Sequence, residues 1–157
     1  MSSDRRRGRA RGEVVRELSY GGVVVRGEIA AGTAEVVAIV PRGKHTLALP
    51  KGGANPDEPP EVTAEREVRE ETGVTAALRT ELGDVTYWYR RTGLRVRKTV
   101  RFYLFDYVEG TTDDHDHEVD EARWIPLQEA RTALSFPGER DMIERAARLL
   151  AETATDR

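Results

Sequence analysis

Glu67, Glu70 and Glu71 stand at i, i+3 and i+4 in a stretch that reads as one short helix. Helical geometry therefore projects all three carboxylates from one face within a single turn. Like charges that close repel by about 1 kcal/mol per pair in water, and by several times more in a partly buried cleft. The arrangement is costly unless a cation sits on it. A hard divalent ion such as magnesium or manganese suits an all-oxygen donor set, because it keeps part of its water shell and is commonly shared with substrate phosphates. The plainer reading is a solvated helix surface on which Arg66 answers Glu70 at i, i+4. Two upstream residues weigh against it, since a surface helix has no need of Gly52 and Glu58 at fixed distances ahead of it.

From Gly52 the run is five residues, Glu58, seven residues, then Arg66, Glu67, Val68, Arg69, Glu70, Glu71, Thr72, Gly73, Val74. This resembles the signature box of the Nudix hydrolases, with every defining position present over 52–74. The resemblance implies an α/β fold, a Nudix-type α/β/α sandwich with a mixed β-sheet between helices. It also implies hydrolysis of a phosphoanhydride, in which water attacks one phosphorus, a divalent ion neutralises the phosphate oxygens and a carboxylate takes the proton. Carried over residue by residue, Glu67, Glu70 and Glu71 bind metal or orient the water, the Gly52 carbonyl is a ligand, Arg66 holds a catalytic glutamate and Glu58 braces the loop against the helix. Glu118, six residues before Trp124, matches a further family glutamate that acts as metal ligand or general base, with Glu121 in reserve. The expected catalytic set is thus Glu67, Glu70, Glu118 and Arg66, and the expected metal set is Gly52, Glu67, Glu70, Glu71 and Glu118, with Mg2+ or Mn2+ as cofactor. Two positions depart from the commonest form of the box. Asn55 replaces an acidic residue, and Asp57 stands where many members have glycine, although both types tolerate tight turns.

Substrate choice rests on weaker signals. On the strand Val96 to Leu104, Lys98 shares parity with Val96, Val100, Phe102 and Leu104, so it falls on an otherwise apolar face and needs an anionic partner, either substrate or a neighbouring carboxylate. Tyr87 and Tyr89 can stack on a base or simply pack across strands. Arg90, Arg91, Arg95 and Arg97 surround the turn between these strands and add positive potential, or serve only to solubilise it. The run Leu49 to Gly53, containing Lys51, resembles the segment of Nudix enzymes acting on dinucleoside polyphosphates, and Tyr89 and Lys98 fit the same subgroup. Lys51, Lys98, Tyr87 and Tyr89 are the expected substrate-binding residues. Diadenosine polyphosphates of the Ap4A or Ap6A type come first. House-cleaning of nucleoside triphosphates, hydrolysis of ADP-ribose or a nucleotide sugar, and a catalytically silent nucleotide-binding module are the alternatives.

The elements that must position these residues follow from pattern. Valine-rich Tyr20–Ile29 and Ala34–Val40 read as strands, followed by a short one at Thr46–Leu49. Pro60 suits the first turn of a helix running to Thr72, with Gly73 as its C-terminal cap. Leu78–Arg90 and Leu94–Val108 read as strands joined near Thr92 and Gly93, an acidic loop spans Glu109–His117, and Arg123–Pro126 is a last strand before helices at Leu127–Leu134 and Glu139–Glu152.

At 157 residues and 38% hydrophobic, the chain is large enough for one packed domain, taken as 17–153 after a basic tail at 1–16 that carries Arg5, Arg6, Arg7, Arg9 and Arg11 and is expected to be disordered in isolation. With no cysteine, disulfides and thiolate chemistry are excluded. A net charge of −3 gives no global pull toward nucleic acid. The expectation is a cytoplasmic monomer or homodimer that meets a small-molecule nucleotide, with no stable nucleic-acid partner and no membrane.

Overall fold

The computed structural model describes residues 13–155. The strands are β1 (Val14–Arg26), β2 (Glu35–Pro41), β3 (Lys51–Gly52), β4 (Val74–Arg91), β5 (Leu94–Gly110) and β6 (Val119–Pro126). The helices are α1 (Pro60–Thr72), α2 (Leu127–Ala133) and α3 (Pro137–Thr155). The sheet runs β4-β5-β1-β2-β6, with β3 added to β1. β1 and β5 are parallel, and the other pairings are antiparallel. The mixed sheet between helical layers is the expected architecture.

Strand alternation divides the core. Val24, Val37, Tyr103 and Phe105 point to one face, where Ala64 and Val68 of α1 cover them. Val23, Val36, Val100, Phe102 and Leu104 point to the other, where Leu127 and Ala130 of α2 and Met142 and Ile143 of α3 pack. Each fully buried side chain of this size contributes roughly 1.5–3 kcal/mol relative to exposure, so the two layers fix the sheet from both sides.

Several elements differ from the sequence expectation. β1 starts at Val14, inside the span assigned to the tail, because 14–19 pairs in register with 95–100 of β5. It ends at Arg26, before Gly27 at φ 82. The strand expected at Thr46–Leu49 is reduced to one bridge between Ala48 and Ile39, and the chain pairs instead at Lys51–Gly52 against Tyr20 and Gly21. β4 begins at Val74, directly after Gly73. The acidic loop contains a single 3-10 turn at Thr112–Asp114. The arginines at 5, 6, 7, 9 and 11 lie outside the described residues. No helix among the described residues is long and apolar enough to cross a membrane.

Candidate functional site

α1 is set by its ends. Pro59 and Pro60 start it in extended-then-helical geometry, and Gly73 at φ 79 closes it by donating its N–H to the Arg69 carbonyl. The pairing of Tyr20 with Gly52 lays the preceding loop against the helix. At Gly52 a Cβ would stand 2.1 Å from the Glu67 carboxyl carbon, so only glycine admits that carboxylate against the backbone. Asp57, where the family often has glycine, adopts φ 61, the left-handed region that Asp tolerates better than most residues.

Arg66 organises the face. Its Nε and Nη2 donate to the two Glu58 oxygens at 2.9 Å, a bidentate fork. Nη1 donates to Glu67 at 2.9 Å and to Glu70 at 3.1 Å, and Nη2 also reaches the Gly53 carbonyl. Glu58 further accepts from the Asn55 N–H and the Thr63 hydroxyl, and these bonds, led by Arg66, hold its carboxyl down to about 2. Glu58 thus ties loop to helix, and Arg66 binds two of the three glutamates.

The three glutamates are not equivalent. Glu67 and Glu71 are buried, whereas the Glu70 side chain is 42% exposed. Glu71 accepts from the Lys51 N–H at 2.9 Å, and burial pushes its carboxyl up to about 8, with Glu67 and Asp116 raising it further. Burial also raises Glu67 against the pull of Arg66. Among the described residues no three carboxylate or histidine side chains converge on one point. Arg66 holds Glu67 and Glu70 on its own side of the face. The donor set nevertheless fits a hard divalent ion: the donors are all oxygens, two are buried where a negative charge is disfavoured, and residue 52 has no side chain to obstruct them.

The acidic loop is brought to this face by the Asp116 N–H, which donates to the Glu70 carbonyl at 2.8 Å. Glu118 is exposed, its N–H held by Asp116, and its charge acts on Glu67. The reserve candidate Glu121 is committed to Arg123 on β6. Asp116, from the acidic loop, acts on Glu71.

Lys98 is half-buried, forms no ion pair or hydrogen bond with a described residue, and burial lowers its ammonium. Lys51, Glu17, Glu71 and Glu67 lie within electrostatic reach of it. The two tyrosines are engaged within the protein. Tyr87 donates to Glu139 at 2.5 Å and meets Phe136 edge-on, while Tyr89 donates to Glu17, which Arg91 also binds. Tyr87 is half-buried against Phe136, whereas the Tyr89 ring stays exposed. Glu139 is the residue that sequence reasoning missed: it is fully buried, accepts from the Leu49 N–H at 2.7 Å and lies 3.9 Å from the Lys51 ammonium. A glutamate at a helix start reads as an ordinary partner of the helix dipole, so nothing in the sequence marks it.

Residues 15–146 match the NUDIX domain family. A protein of Mycobacterium tuberculosis named as mutator protein MutT4 is 38% identical over 96% of this chain and 62% of its own length. The 8-oxo-(d)GTP phosphatase of Mycolicibacterium smegmatis is 33% identical over 76% of this chain and 36% of its own. The chain therefore spans about 62% and 36% of the curated relatives it matches. The crystal structure of a Caenorhabditis elegans Ap4A hydrolase binary complex superposes with a TM-score of 0.66 at 20% identity, covering 87% of this chain and 98% of that one, which shows likeness of fold. With its box assembled around Arg66 and its length matched almost throughout, the chain belongs to the NUDIX domain family.

Proposed function

We propose that this protein hydrolyses a phosphoanhydride of a nucleoside diphosphate linked to another group, with Mg2+ or Mn2+ as cofactor. The observation that carries the reading is the convergence of buried Glu67 and Glu71 on the Lys51–Gly52 backbone, at a residue whose Cβ would displace the Glu67 carboxylate. Members of this family generally use divalent metal ions. Gly52, Glu67, Glu70, Glu71 and Glu118 are the residues that would hold one, and when bound it supplies charge neutralisation at the phosphate oxygens. Arg66 fixes Glu67 and Glu70 so that little reorganisation is needed when substrate arrives. Glu118, exposed and with no ion pair to a described residue, is the alternative acceptor for the proton of the attacking water where it does not bind the ion. Lys51 and Lys98 place two ammonium groups beside the carboxylates, where a polyphosphate meets them.

The substrate favoured by the relatives is a damaged nucleoside triphosphate, because two curated relatives above 30% identity carry mutator and 8-oxo-(d)GTP phosphatase names. A diadenosine polyphosphate, first on sequence grounds, keeps the support of Lys51, Lys98 and the exposed Tyr89 ring, while Tyr87 packs edge-on against Phe136. A panel of 8-oxo-dGTP, dGTP, Ap4A and ADP-ribose, assayed with Mg2+ by chromatography of the products, tests this. Preference for 8-oxo-dGTP supports the first substrate, preference for Ap4A the second, and no cleavage of any of them with Mg2+ or Mn2+ contradicts the hydrolase.

A further inference from the structure

We infer that the outer face of the β1–β5–β4 extension binds single-stranded nucleic acid, separately from the carboxylate site. Register places Arg16 beside Arg97 and Arg97 beside Trp88, while Val14, Arg95 and Arg90 form the next row. Residues paired across strands share a face, so Arg16, Arg97, Trp88, Arg95 and Arg90 lie on one surface, opposite to Lys98 and Glu17. The stacking of the Arg95 guanidinium 4.9 Å above the Trp88 ring agrees with that assignment. By the alternation of β5 this is the side of Tyr103 and Phe105, but it lies beyond the core residues that α1 covers.

Every one of these five side chains is exposed, Trp88 by 54%. None of the four arginines has an ion pair with a described residue. The carboxylates farther along the same strands, Asp84 and Glu81, are engaged by Arg101. A protein of net charge −3 therefore concentrates four positive charges, none ion-paired with a described residue, around an exposed aromatic on one face of the sheet. In sequence, β1 is preceded by Arg5, Arg6, Arg7, Arg9 and Arg11, which adds to the same sign of charge.

Charge complementarity selects a polyanion, and the indole selects one with bases. Base–aromatic stacking tolerates any sequence, and arginines track the backbone phosphates. The face spans three strands at about 4.8 Å spacing and about five residues at 3.3 Å, room for a short strand whose unpaired bases, which a duplex keeps stacked inside, can reach the exposed indole. Net charge does not report this gathering, because the register decides which arginines share a face.

The experiment is fluorescence anisotropy of unphosphorylated, labelled U12 with the full chain in EDTA, which keeps the carboxylate site out of the measurement. Wild-type protein is expected to bind at low salt with a log–log salt slope near −2.8, about −0.7 for each of four neutralised phosphates. Trp88→Ala is expected to weaken binding about tenfold. Arg95→Gln with Arg97→Gln should lower the slope by about 1.4. All three substitutions are at exposed positions, and circular dichroism checks that the fold is kept. The inference is overturned by no binding at 50 mM salt, by binding that both variants leave unchanged, or by binding to anionic lipid vesicles without binding to U12.

Discussion

Replacing Glu71 by Gln should make the metal-free protein more stable, in a way that depends on pH. The Glu71 carboxyl is raised from an ordinary 4.5 to about 8, chiefly by burial. Below pH 4.5 it is protonated in both folded and unfolded chains, and stability is unaffected. Between 4.5 and 8 the unfolded chain releases the proton while the folded one retains it, so stability falls as pH rises. At 1.36 kcal/mol per unit, the loss by pH 7 is about 3 kcal/mol, an upper bound since buried carboxyls relax toward water. Gln keeps an oxygen for the Lys51 N–H and carries no charge. For a domain of this size, about 3 kcal/mol corresponds to roughly 6–12 °C in Tm. Thermal melts of both proteins in EDTA at pH 5 and pH 8 provide the assay. The variant should match wild type closely at pH 5 and exceed it by several degrees at pH 8. Titrating either protein with Mg2+ at pH 8 should then raise the wild-type Tm selectively, as ligand binding to the folded state requires. Equal differences between the two proteins at both pH values would refute the reasoning.

Gly52→Ala should abolish turnover and cost stability, because the added Cβ falls 2.1 Å from the Glu67 carboxyl carbon; near-normal kcat would show that the contact is dispensable. Lys98→Ala should lose more activity on substrates with more phosphates, measured as kcat/KM along a chain-length series, and an equal loss throughout removes Lys98 from the polyphosphate path. Glu139→Ala strips partners from Leu49, Tyr87 and Lys51 in a buried site and should destabilise by about 3 kcal/mol, with Glu139→Gln much milder; urea titration distinguishes them. Thr92→Asn should stabilise by about 0.5–1 kcal/mol, since Thr92 and Gly93 both have positive φ and a β-branched residue is strained there.

Much of the site was legible because it is local. Glu58, Arg66, Glu67, Glu70 and Glu71 belong to one loop and one helix, so spacing alone fixes which side chains meet. Lys98 was legible from strand parity, and it has no ion pair with a described residue. What spacing could not show was competition: Arg66 reaches two glutamates at once and divides an apparently uniform face into a guanidinium-bound pair and a buried, separate Glu71. Glu139 was invisible because its burial depends on α3 packing against β4, 52 residues away from Tyr87 in sequence. The N-terminal half of β1 was missed for a similar reason, since its exposed, charged residues look like a tail until β5 supplies a parallel partner. The strand expected at Thr46–Leu49 failed because the chain gains its pairing three residues later, at Lys51–Gly52.

The central claim is that the buried glutamates beside Gly52 hold a divalent ion. The most direct measurement is an electron paramagnetic resonance titration of Mn2+ into folded wild-type protein and into the Glu71→Gln variant. The wild-type protein should take up Mn2+ saturably, with binding much weakened in the variant. Absence of uptake by wild type, or identical uptake by both proteins, would contradict the account.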